Sequence, residues 1–477
     1  MMQKNIYRKG IVFAIIIIFL ATGFNSVTSL KLCNSNISLT ERQFNRDKFF
    51  PSDFIYYLPI ENKAMKILSN NYKYNIGQSV MQTDDNGFIV TGYKQEFDFW
   101  NPSSDIIQDI ILFKNNVNGD REWKKTFEFL DDSMGNSIQQ TDDKGYIIGG
   151  SISSLDNTYA LLLKTDEQGN EEWIKTYAGL ENAIAYSVQQ TNDNGFILTG
   201  SSSYSNNEYV TYLLLLKTDE LGNLEWNKTF YFDNISMGYS VKQTEDLGYI
   251  ITGYTGQFEF EPGVLNFELK VLVIKTDENG DEEWIRILEL MDINIGSCVE
   301  CTKDGGYIIG GTAVEISEFT SFTFLLKMDE QGNEQWHKTF SGSYGKSVQQ
   351  TDDNGYIIGG SAISSSNTYA MLLKTDETGN ELWTKTYKGL GISLCNSVQQ
   401  TVDNGFVLTG ATSGSIYSSK VYVFILKTDA SGNLVWSQTL KNNIPKSSYR
   451  YNLMIRSQNT FLQKFFKNFS VLKRLFI

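Results

Sequence analysis

Two short patterns that return together about every 50 residues constrain the fold of this chain more than any other feature. The first reads S-V-x-Q-T-x-D-x-G-[FY]-I in its fullest form, and successive copies lie 49 to 58 residues apart. Its threonine is found at Thr83, Thr141, Thr191, Thr244, Thr302, Thr351 and Thr401. The second, LLLKTDEQGNEEWIKTY in its best copy, contains a tryptophan at Trp123, Trp173, Trp226, Trp284, Trp336, Trp383 and Trp436. A repeat of this period indicates supersecondary units that pack side by side, and there are seven of them.

Each unit contains four segments with the character of β-strands. In the unit that begins at Ser137 these are SIQQT, GYIIGGS, YALLLKT and EEWIKTY. The two middle segments are almost continuously apolar, so both of their faces should be buried against neighbouring sheets. A radial array of four-stranded blades meets that requirement and leaves only short edges. The sequence therefore predicts an all-β fold, a seven-bladed β-propeller of four-stranded antiparallel blades.

An open solenoid of the same units is the alternative architecture. It would need polar caps at its ends, whereas the last unit finishes near Leu440 in ordinary repeat sequence. A closed ring is therefore the favoured interpretation. Which terminal strand closes the ring stays open at this point.

The repeats divide the chain into four regions. Residues 64–440 form the propeller, with repeat units that start near residues 79, 137, 187, 240, 298, 347 and 397. Residues 1–29 join a basic start to an apolar run from Ile11 to Phe24, which indicates a signal peptide or an N-terminal membrane anchor helix. Residues 30–63 are a linker or N-terminal extension, and residues 441–477 are a tail. Either interpretation of residues 1–29 predicts an extracytoplasmic protein, secreted or anchored at the cell surface.

Charge is distributed unevenly along the chain. The formal net charge is −14, yet residues 441–477 carry eight Lys or Arg and no Asp or Glu. The acidic body should repel phosphate backbones, so no nucleic-acid partner is expected, and the body is expected to be monomeric. Residues 459–477 form a basic amphipathic pattern with apolar residues at helical spacing, namely Phe461, Leu462, Phe465, Phe469, Leu472 and Phe476. Membrane contact through residues 1–29 and 459–477 is one expectation, and docking of the tail on the ring is another.

The adjacent carboxylates Asp352 and Asp353 raise the question of a metal or proton-transfer site. The first position is not constant, because Lys303 and Val402 occupy it in other units. The second position is always aspartate, at Asp85, Asp143, Asp193, Asp246, Asp304, Asp353 and Asp403. Two residues later comes Gly87, Gly145, Gly195, Gly248, Gly306, Gly355 or Gly405. This is hairpin chemistry, in which Asp accepts backbone N–H groups and Gly adopts the left-handed conformation, so structural turns are predicted.

The second pattern resembles the tryptophan-docking repeat of PQQ-type propellers, in which Asp, Gly and Trp recur near the end of each blade. Asp376, Gly379 and Trp383 take those places, and the seven tryptophans are expected to be structural docking residues. The first pattern is similar to WD-type repeats of secreted bacterial and archaeal seven-bladed propellers. The resemblance covers about residues 77–440 and implies the fold rather than an activity. A quinone-dependent dehydrogenase is disfavoured by the shortened motif and the missing eighth unit, so no cofactor is expected.

Motifs for catalysis and metal binding are scarce. His337 is the only histidine, which excludes a multi-histidine metal site. It follows Trp336 on an expected outer strand and no G-x-S-x-G element accompanies it, so a Ser-His-Asp triad is not expected either. Cys298 and Cys301 are expected on opposite faces of a strand as core or surface thiols. The segment from Asp277 departs from the calcium-loop pattern at its sixth and twelfth positions, so no metal site is predicted. Lysines that close the third strands are expected to form an exposed ladder beside the turn carboxylates, at Lys114, Lys164, Lys217, Lys275, Lys327, Lys374 and Lys427. A channel lining that binds an anion is the alternative role for them.

Recognition is expected on the loops between second and third strands, which vary in length while the turns at the other face are uniform. The candidate binding residues there are Phe97, Phe99, Trp100, Tyr204, Tyr209, Phe258, Phe260 and Tyr417. Packing over blade edges is the alternative role for these aromatics. The sequence thus predicts a non-catalytic binding or scaffold protein, not an enzyme, with an unknown protein or glycan ligand. The alternative is a carboxylate-dependent carbohydrate-active enzyme, whose two acids could come from different blades.

Overall fold

The structure is a computed structural model, and it describes residues 72–97, 107–129, 131–154, 157–204, 207–261, 264–318, 320–364, 367–414, 418 and 420–440. Within these ranges the chain forms strands and turns and no helix. Among the described residues there is accordingly no helix with the length and apolar character that a membrane crossing requires. The predictions for residues 1–29, 30–63 and 441–477 lie outside the described residues.

The strands follow one another in groups of four. Groups one to four comprise β1 (Tyr72–Gln82), β2 (Phe88–Phe97), β3 (Ile107–Asn115), β4 (Arg121–Phe127); β5 (Asp132–Gln140), β6 (Tyr146–Ser153), β7 (Thr158–Thr165), β8 (Glu171–Tyr177); β9 (Asn182–Gln190), β10 (Phe196–Tyr204), β11 (Asn207–Thr218), β12 (Leu224–Phe230); and β13 (Ile235–Gln243), β14 (Tyr249–Glu261), β15 (Val264–Thr276), β16 (Glu282–Leu288). Groups five to seven comprise β17 (Ile293–Cys301), β18 (Tyr307–Glu315), β19 (Thr320–Met328), β20 (Glu334–Ser341); β21 (Ser343–Gln350), β22 (Tyr356–Ile363), β23 (Thr368–Thr375), β24 (Glu381–Tyr387); and β25 (Ile392–Gln400), β26 (Phe406–Ser413), β27 (Lys420–Thr428), β28 (Leu434–Thr439).

Consecutive strands of a group pair antiparallel, so the all-β, antiparallel part of the fold prediction is confirmed. Some neighbouring groups also touch through a short parallel contact between a third and a first strand, as where Thr211 lies opposite Ile235. The same contact joins the last group to the first, because Tyr74 of β1 lies opposite Val421 of β27. β28 pairs with β27, so in the described part of the chain each terminal strand stays within its own group.

The apolar core lies between successive groups. Ile147 and Leu162 of the second group pack in one buried cluster with Phe196 and Leu214 of the third. These side chains come from second and third strands, and both faces of those strands are buried. Continuous apolar runs therefore form strands here because a neighbouring sheet covers each face.

The Asp-x-Gly turns bind a buried lysine. Asp143 accepts hydrogen bonds from the Gly145 amide, at 2.9 Å, and from the Thr141 hydroxyl, and Lys164 Nζ lies 2.7 Å from its other oxygen. All seven groups repeat this ion pair, and the seven lysine side chains are only 3 to 6% exposed. The expected exposed lysine ladder is therefore wrong, because the turn folds over the third strand and encloses each ammonium group.

The glycine of this turn has a different role from the predicted one. The positive φ falls on the residue before it, such as Lys144 with φ 68°, and not on Gly145. A Cβ built on Gly145 would lie 2.2 Å from the Thr165 carbonyl oxygen and 2.5 Å from Lys164 Nζ. Gly is needed here because the third strand and its lysine pass too close for a side chain.

Each of the seven predicted tryptophans packs on a glycine of the next group. A Cβ built on Gly169, whose φ is +74°, would lie 2.6 Å from the Trp123 ring. The equivalent pairs are Trp173 with Gly222, Trp226 with Gly280, Trp284 with Gly332, Trp336 with Gly379, Trp383 with Gly432, and Trp436 with Gly119. Because the tryptophan of the last group contacts the glycine of the first, these contacts form a closed cycle.

Candidate active site

The first strands of the groups contact one another in order, and β25 contacts β1 in turn. Each of these strands contains a β-bulge at the same register. We call the seven extra residues the central ring: Gln78, Asn136, Tyr186, Tyr239, Ser297, Lys346 and Asn396. Bulges redirect side chains and are frequent beside active sites, so this ring is the candidate site.

Hydrogen bonds from one first strand to the next hold the ring in register. The Ser137 hydroxyl accepts the Val188 amide of the next group at 3.3 Å, and Gln139 Oε1 accepts the Gln190 amide at 2.7 Å. Across the joint between the last and first groups, the Ser397 hydroxyl accepts the Val80 amide at 3.2 Å. Backbone groups that would otherwise be unpaired at the sheet edge are thereby satisfied.

Amide and hydroxyl side chains of the ring are partly bound to the neighbouring backbone. Asn136 Nδ2 donates to the Ala185 carbonyl at 2.8 Å, and Asn396 Nδ2 donates to the Gly77 carbonyl at 2.9 Å. Asn136 Oδ1 and Ser297 Oγ are buried and have no hydrogen-bond partner among the described residues. Two unpaired buried polar atoms on one ring indicate a place where a polar ligand would gain hydrogen bonds.

Tyrosines form one sector of the ring. The Tyr186 and Tyr239 rings lie 5.0 Å apart, and the Tyr254 ring lies 5.7 Å from that of Tyr239. Burial, together with the neighbouring Tyr254 and Tyr186, raises the pKa of Tyr239 well above its ordinary value. These phenols therefore remain protonated at neutral pH and can donate hydrogen bonds.

Lys346 is the charged member of the ring. Burial lowers the pKa of its ammonium group to about 8, so the neutral amine forms at a lower pH than for an ordinary lysine. A neutral lysine amine is a proton acceptor or a nucleophile. Lys242 and Glu300, each three residues beyond the bulge of its first strand, form an ion pair at 2.8 Å.

The central ring holds no carboxylate and no group of metal ligands. In the described ranges, no cluster of three or more His, Cys, Asp or Glu residues could hold a metal ion. Asp277 instead accepts the Asp281 amide at 2.8 Å within its own turn, and His337 Nδ1 lies 2.7 Å from Glu334 on an exposed strand. Burial raises the pKa of Cys298, and that of Cys301 to about 11, which disfavours the thiolate form at neutral pH.

The predicted aromatic binding residues are spread over several groups. Tyr204, at the end of β10, is 41% exposed, and its ring lies 6.1 Å from that of Tyr212. Tyr212 in turn lies 5.1 Å from Tyr231, which is 48% exposed. Phe99, Trp100 and Tyr417 lie outside the described residues, as do the side chains of Phe97, Tyr209, Phe258 and Phe260, whose backbones belong to β2, β11 and β14.

No family model and no curated protein matches the chain. Solved structures do match it: Sqt1 from Chaetomium thermophilum, at 8% identity and TM-score 0.44, with 77% of this chain and 90% of that chain covered. A puromycin hydrolase matches at 10% identity and TM-score 0.48, with 80% and 55% covered. An ulvan lyase, described as a polysaccharide lyase, matches at 8% identity and TM-score 0.46, with 78% and 94% covered.

These comparisons bear on two predictions. They fit a β-propeller-like fold, whereas the finer resemblance to PQQ-type or WD-type repeats has no support from any family or sequence match. Besides the hydrolase and the lyase, the matching structures include an apocarotenoid oxygenase from Synechocystis and an alpha-L-arabinanase from Penicillium chrysogenum. Because most of these matches are enzymes, the prediction of a non-catalytic binding or scaffold protein that is not an enzyme is wrong by these findings. At 8 to 11% identity they assign no particular reaction to this chain.

Proposed function

We propose that the groups of strands are the seven blades of a closed β-propeller. Three independent contacts between the last and first groups support closure: the Trp436–Gly119 packing, the hydrogen bond from the Val80 amide to Ser397, and the parallel pairing of β27 with β1. An open solenoid would leave these partners apart. The central ring then surrounds the axis of the propeller.

We propose that the protein is an enzyme that acts on carbohydrate at the central ring. The observation that carries this proposal is the convergence of Lys346, two tyrosines and unpaired hydrogen-bonding atoms of Asn136 and Ser297 on one ring of bulges. A structural ring would be expected to repeat like the turns. Instead, the register is constant while the residue type changes from group to group.

The reaction that these groups support is elimination. Lys346 Nζ, as the neutral amine, takes the proton from the carbon next to a sugar carboxyl group. The electron pair of that C–H bond forms a C=C bond while the glycosidic C–O bond breaks, and the leaving oxygen takes a proton from a tyrosine hydroxyl of the ring. Amide groups such as that of Asn136 are suited to hydrogen-bond the sugar carboxyl group.

Hydrolysis by two carboxylates, the mechanism that the sequence suggested for a carbohydrate-active enzyme, is less well supported. That mechanism needs two carboxyl groups roughly 5 to 10 Å apart across the scissile bond. Within the described residues the ring carries no such pair, and Glu300 is engaged by Lys242. We therefore assign the chemistry to lysine and tyrosine.

Carbohydrate as the substrate class is supported by partly exposed aromatic rings. Tyr186 and Tyr239 on the ring, and the Tyr204–Tyr212–Tyr231 cluster on the third group, offer flat surfaces with polar edges. Such side chains combine apolar contact area with a hydrogen-bonding tip. Export through residues 1–29, as the sequence suggests, would bring the enzyme to extracellular polysaccharides.

The test is turnover of a panel of uronate-containing polysaccharides, with neutral glucans as controls, followed by ultraviolet absorbance of the unsaturated product and by the release of reducing ends. We expect unsaturated product from at least one uronate polymer with the wild-type protein and about 10³-fold slower formation with Lys346→Met. Reducing ends without unsaturation would contradict elimination. Equal turnover by wild type and Lys346→Met would contradict the assignment of the site.

A further inference from the structure

The joint between the last and the first group differs from every other joint on the face that bears the Asp-x-Gly turns. Four exposed positions flank each joint there. Three belong to the group before the joint, namely the residue before its turn aspartate and the first two residues of its fourth strand. The other is the second residue of the turn between the third and fourth strands in the group after the joint. At the joint between groups two and three they are Asp142, Glu171, Glu172 and Glu220, and between groups four and five they are Glu245, Glu282, Glu283 and Glu330. The six joints between consecutive groups each carry charged residues in this set.

At the closing joint all four positions are aliphatic and exposed. They are Val402 at 78%, Leu434 at 54%, Val435 at 59% and Val117 at 54%. We call these four residues the seam patch. Each of the other six joints keeps at least one charged residue in this set, although Leu224 and Leu382 occupy single positions there. Four exposed aliphatic residues without a charge among them indicate a surface that is covered in the functional protein.

Contacts on both sides show that the seam patch lies at one joint. The Val402 amide donates to Gln82 Oε1 of the first group at 2.9 Å. Trp436, which directly follows Leu434 and Val435, packs on Gly119, two residues after Val117. Asp403, whose carboxylate is paired with Lys427 at 2.9 Å but remains more than half exposed, directly follows Val402.

We propose that residues 459–476 of the same chain bind the seam patch. Their sequence has the complementary chemistry, with Phe461, Phe465 and Phe469 at helical spacing for the aliphatic side chains, and basic residues for a body whose net charge is strongly negative. A second copy of the body would bring like net charge to the patch, whereas the tail carries eight basic and no acidic residues.

The chain can reach the patch without crossing the molecule. β28 ends at Thr439 in the last group, and its other end, Leu434, belongs to the patch. Six residues of strand span about 20 Å, and the 18 residues between Leu440 and Asn459 can extend to about 60 Å. The binding segment therefore starts from the group on which it would dock.

The experiment is hydrogen–deuterium exchange of the full-length protein, with peptides from residues 459–476 as the readout. We expect at least tenfold slower exchange of these amides in the wild type than in the double variant Val402→Glu/Leu434→Glu. The matched control is Leu224→Glu, which places a glutamate at the equivalent of Leu434 in the third group, where Leu224 is 49% exposed. This control should leave the protection unchanged.

Four results would overturn the proposal: unprotected amides in the wild type, protection that survives the double variant, loss of protection in Leu224→Glu, or protection seen only with anionic phosphatidylserine vesicles. Light scattering of the same samples distinguishes binding of the tail from binding of a second copy of the chain. A dimer that dissociates in the double variant would also contradict the proposal. None of these readouts depends on catalysis, so the proposed elimination and this docking can fail separately.

Discussion

Two kinds of buried lysine in this molecule have different environments. Lys164 lies 2.7 Å from Asp143 and 3.0 Å from Glu172. In each of the other six groups the equivalent lysine is also paired with its turn aspartate. Lys346 occurs once, on the central ring, and burial lowers the pKa of its ammonium group to about 8. The repeated lysine keeps its charge among carboxylates and holds a turn, whereas the single lysine is prepared to lose its proton. Repetition therefore separates residues that build the fold from the residue to which we assign the chemistry.

The largest effect should come from Lys346→Met, which retains the length of the side chain and removes the amine. We expect turnover to fall by about 10³-fold, within the range for loss of a general base.

Since burial disfavours the protonated lysine, the unfolded chain binds more protons between about pH 8 and the ordinary lysine pKa, and wild-type stability should rise with pH there. Lys346→Met should be at least as stable as the wild type at pH 7, which thermal unfolding measures. This measurement is the control that separates a loss of turnover from a loss of folding.

The opposite result is expected for Lys164→Met. It leaves Asp143 and Glu172 facing each other without a cation, and we expect the free energy of unfolding to fall by about 2 kcal/mol, less than for a fully buried pair because both carboxylates are half exposed. Turnover per folded molecule should not change. Denaturant unfolding measures the stability, and the rate is normalised to the amount of folded protein. A loss of rate with unchanged stability would contradict the structural role of Lys164.

A glycine pair tests the docking of tryptophan between groups. Gly169→Ala places a methyl group 2.6 Å from the Trp123 ring at φ +74° and should cost about 2 kcal/mol of stability. Gly305→Ala is the matched control, because Gly305 has φ +82° but no neighbour within 4 Å, and should cost about 1 kcal/mol. If thermal unfolding shows equal losses of stability for the two variants, the contact with Trp123 adds no cost beyond that of the left-handed backbone conformation.

The smallest effect is acid sensitivity of the turns. Burial alone would raise the pKa of the Asp85 carboxyl, but hydrogen bonds from Lys114, Thr83 and the Gly87 amide lower it to about 2. A carboxylate with a lowered folded pKa contributes stability above its unfolded value, and that contribution is lost as pH falls toward 2. We expect Asp85→Asn to lose about 0.5 kcal/mol at pH 7, because the carboxylate is partly exposed, and to show less acid dependence than the wild type between pH 4 and pH 2. A parallel pH dependence in both proteins would contradict the turn's role.

The sequence predicted the positions that depend on repeated local geometry. Asp143 and Trp123 recur at a fixed place in every unit, and their contacts in the structure follow from a turn and a glycine that also recur. Burial of Lys164 could not be predicted in the same way, because a lysine beside an acidic turn has the same pattern whether or not the turn closes over it. That burial depends on how the turn packs against the third strand.

The central ring was missed for the complementary reason. Tyr186, Ser297 and Lys346 share a register but no residue type, so a search for recurring residues passes over them. The pattern that could have identified them is a variable residue directly before the recurrent Ser-Val pair. That these positions meet at the centre depends on the bulge in each first strand and on closure between the last and first groups, neither of which a linear pattern specifies.

The central claim, that Lys346 is the reacting base at the centre of a closed propeller, is tested most directly by the pH dependence of kcat/KM on a uronate polymer. We expect a rate that rises with pH through an apparent pKa near 8 as Lys346 loses its proton. This rising limb should be lost in Lys346→Met and retained in Lys164→Met. A profile whose rising limb stays near pH 8 in Lys346→Met, or one controlled by a group that titrates near pH 4, would contradict it.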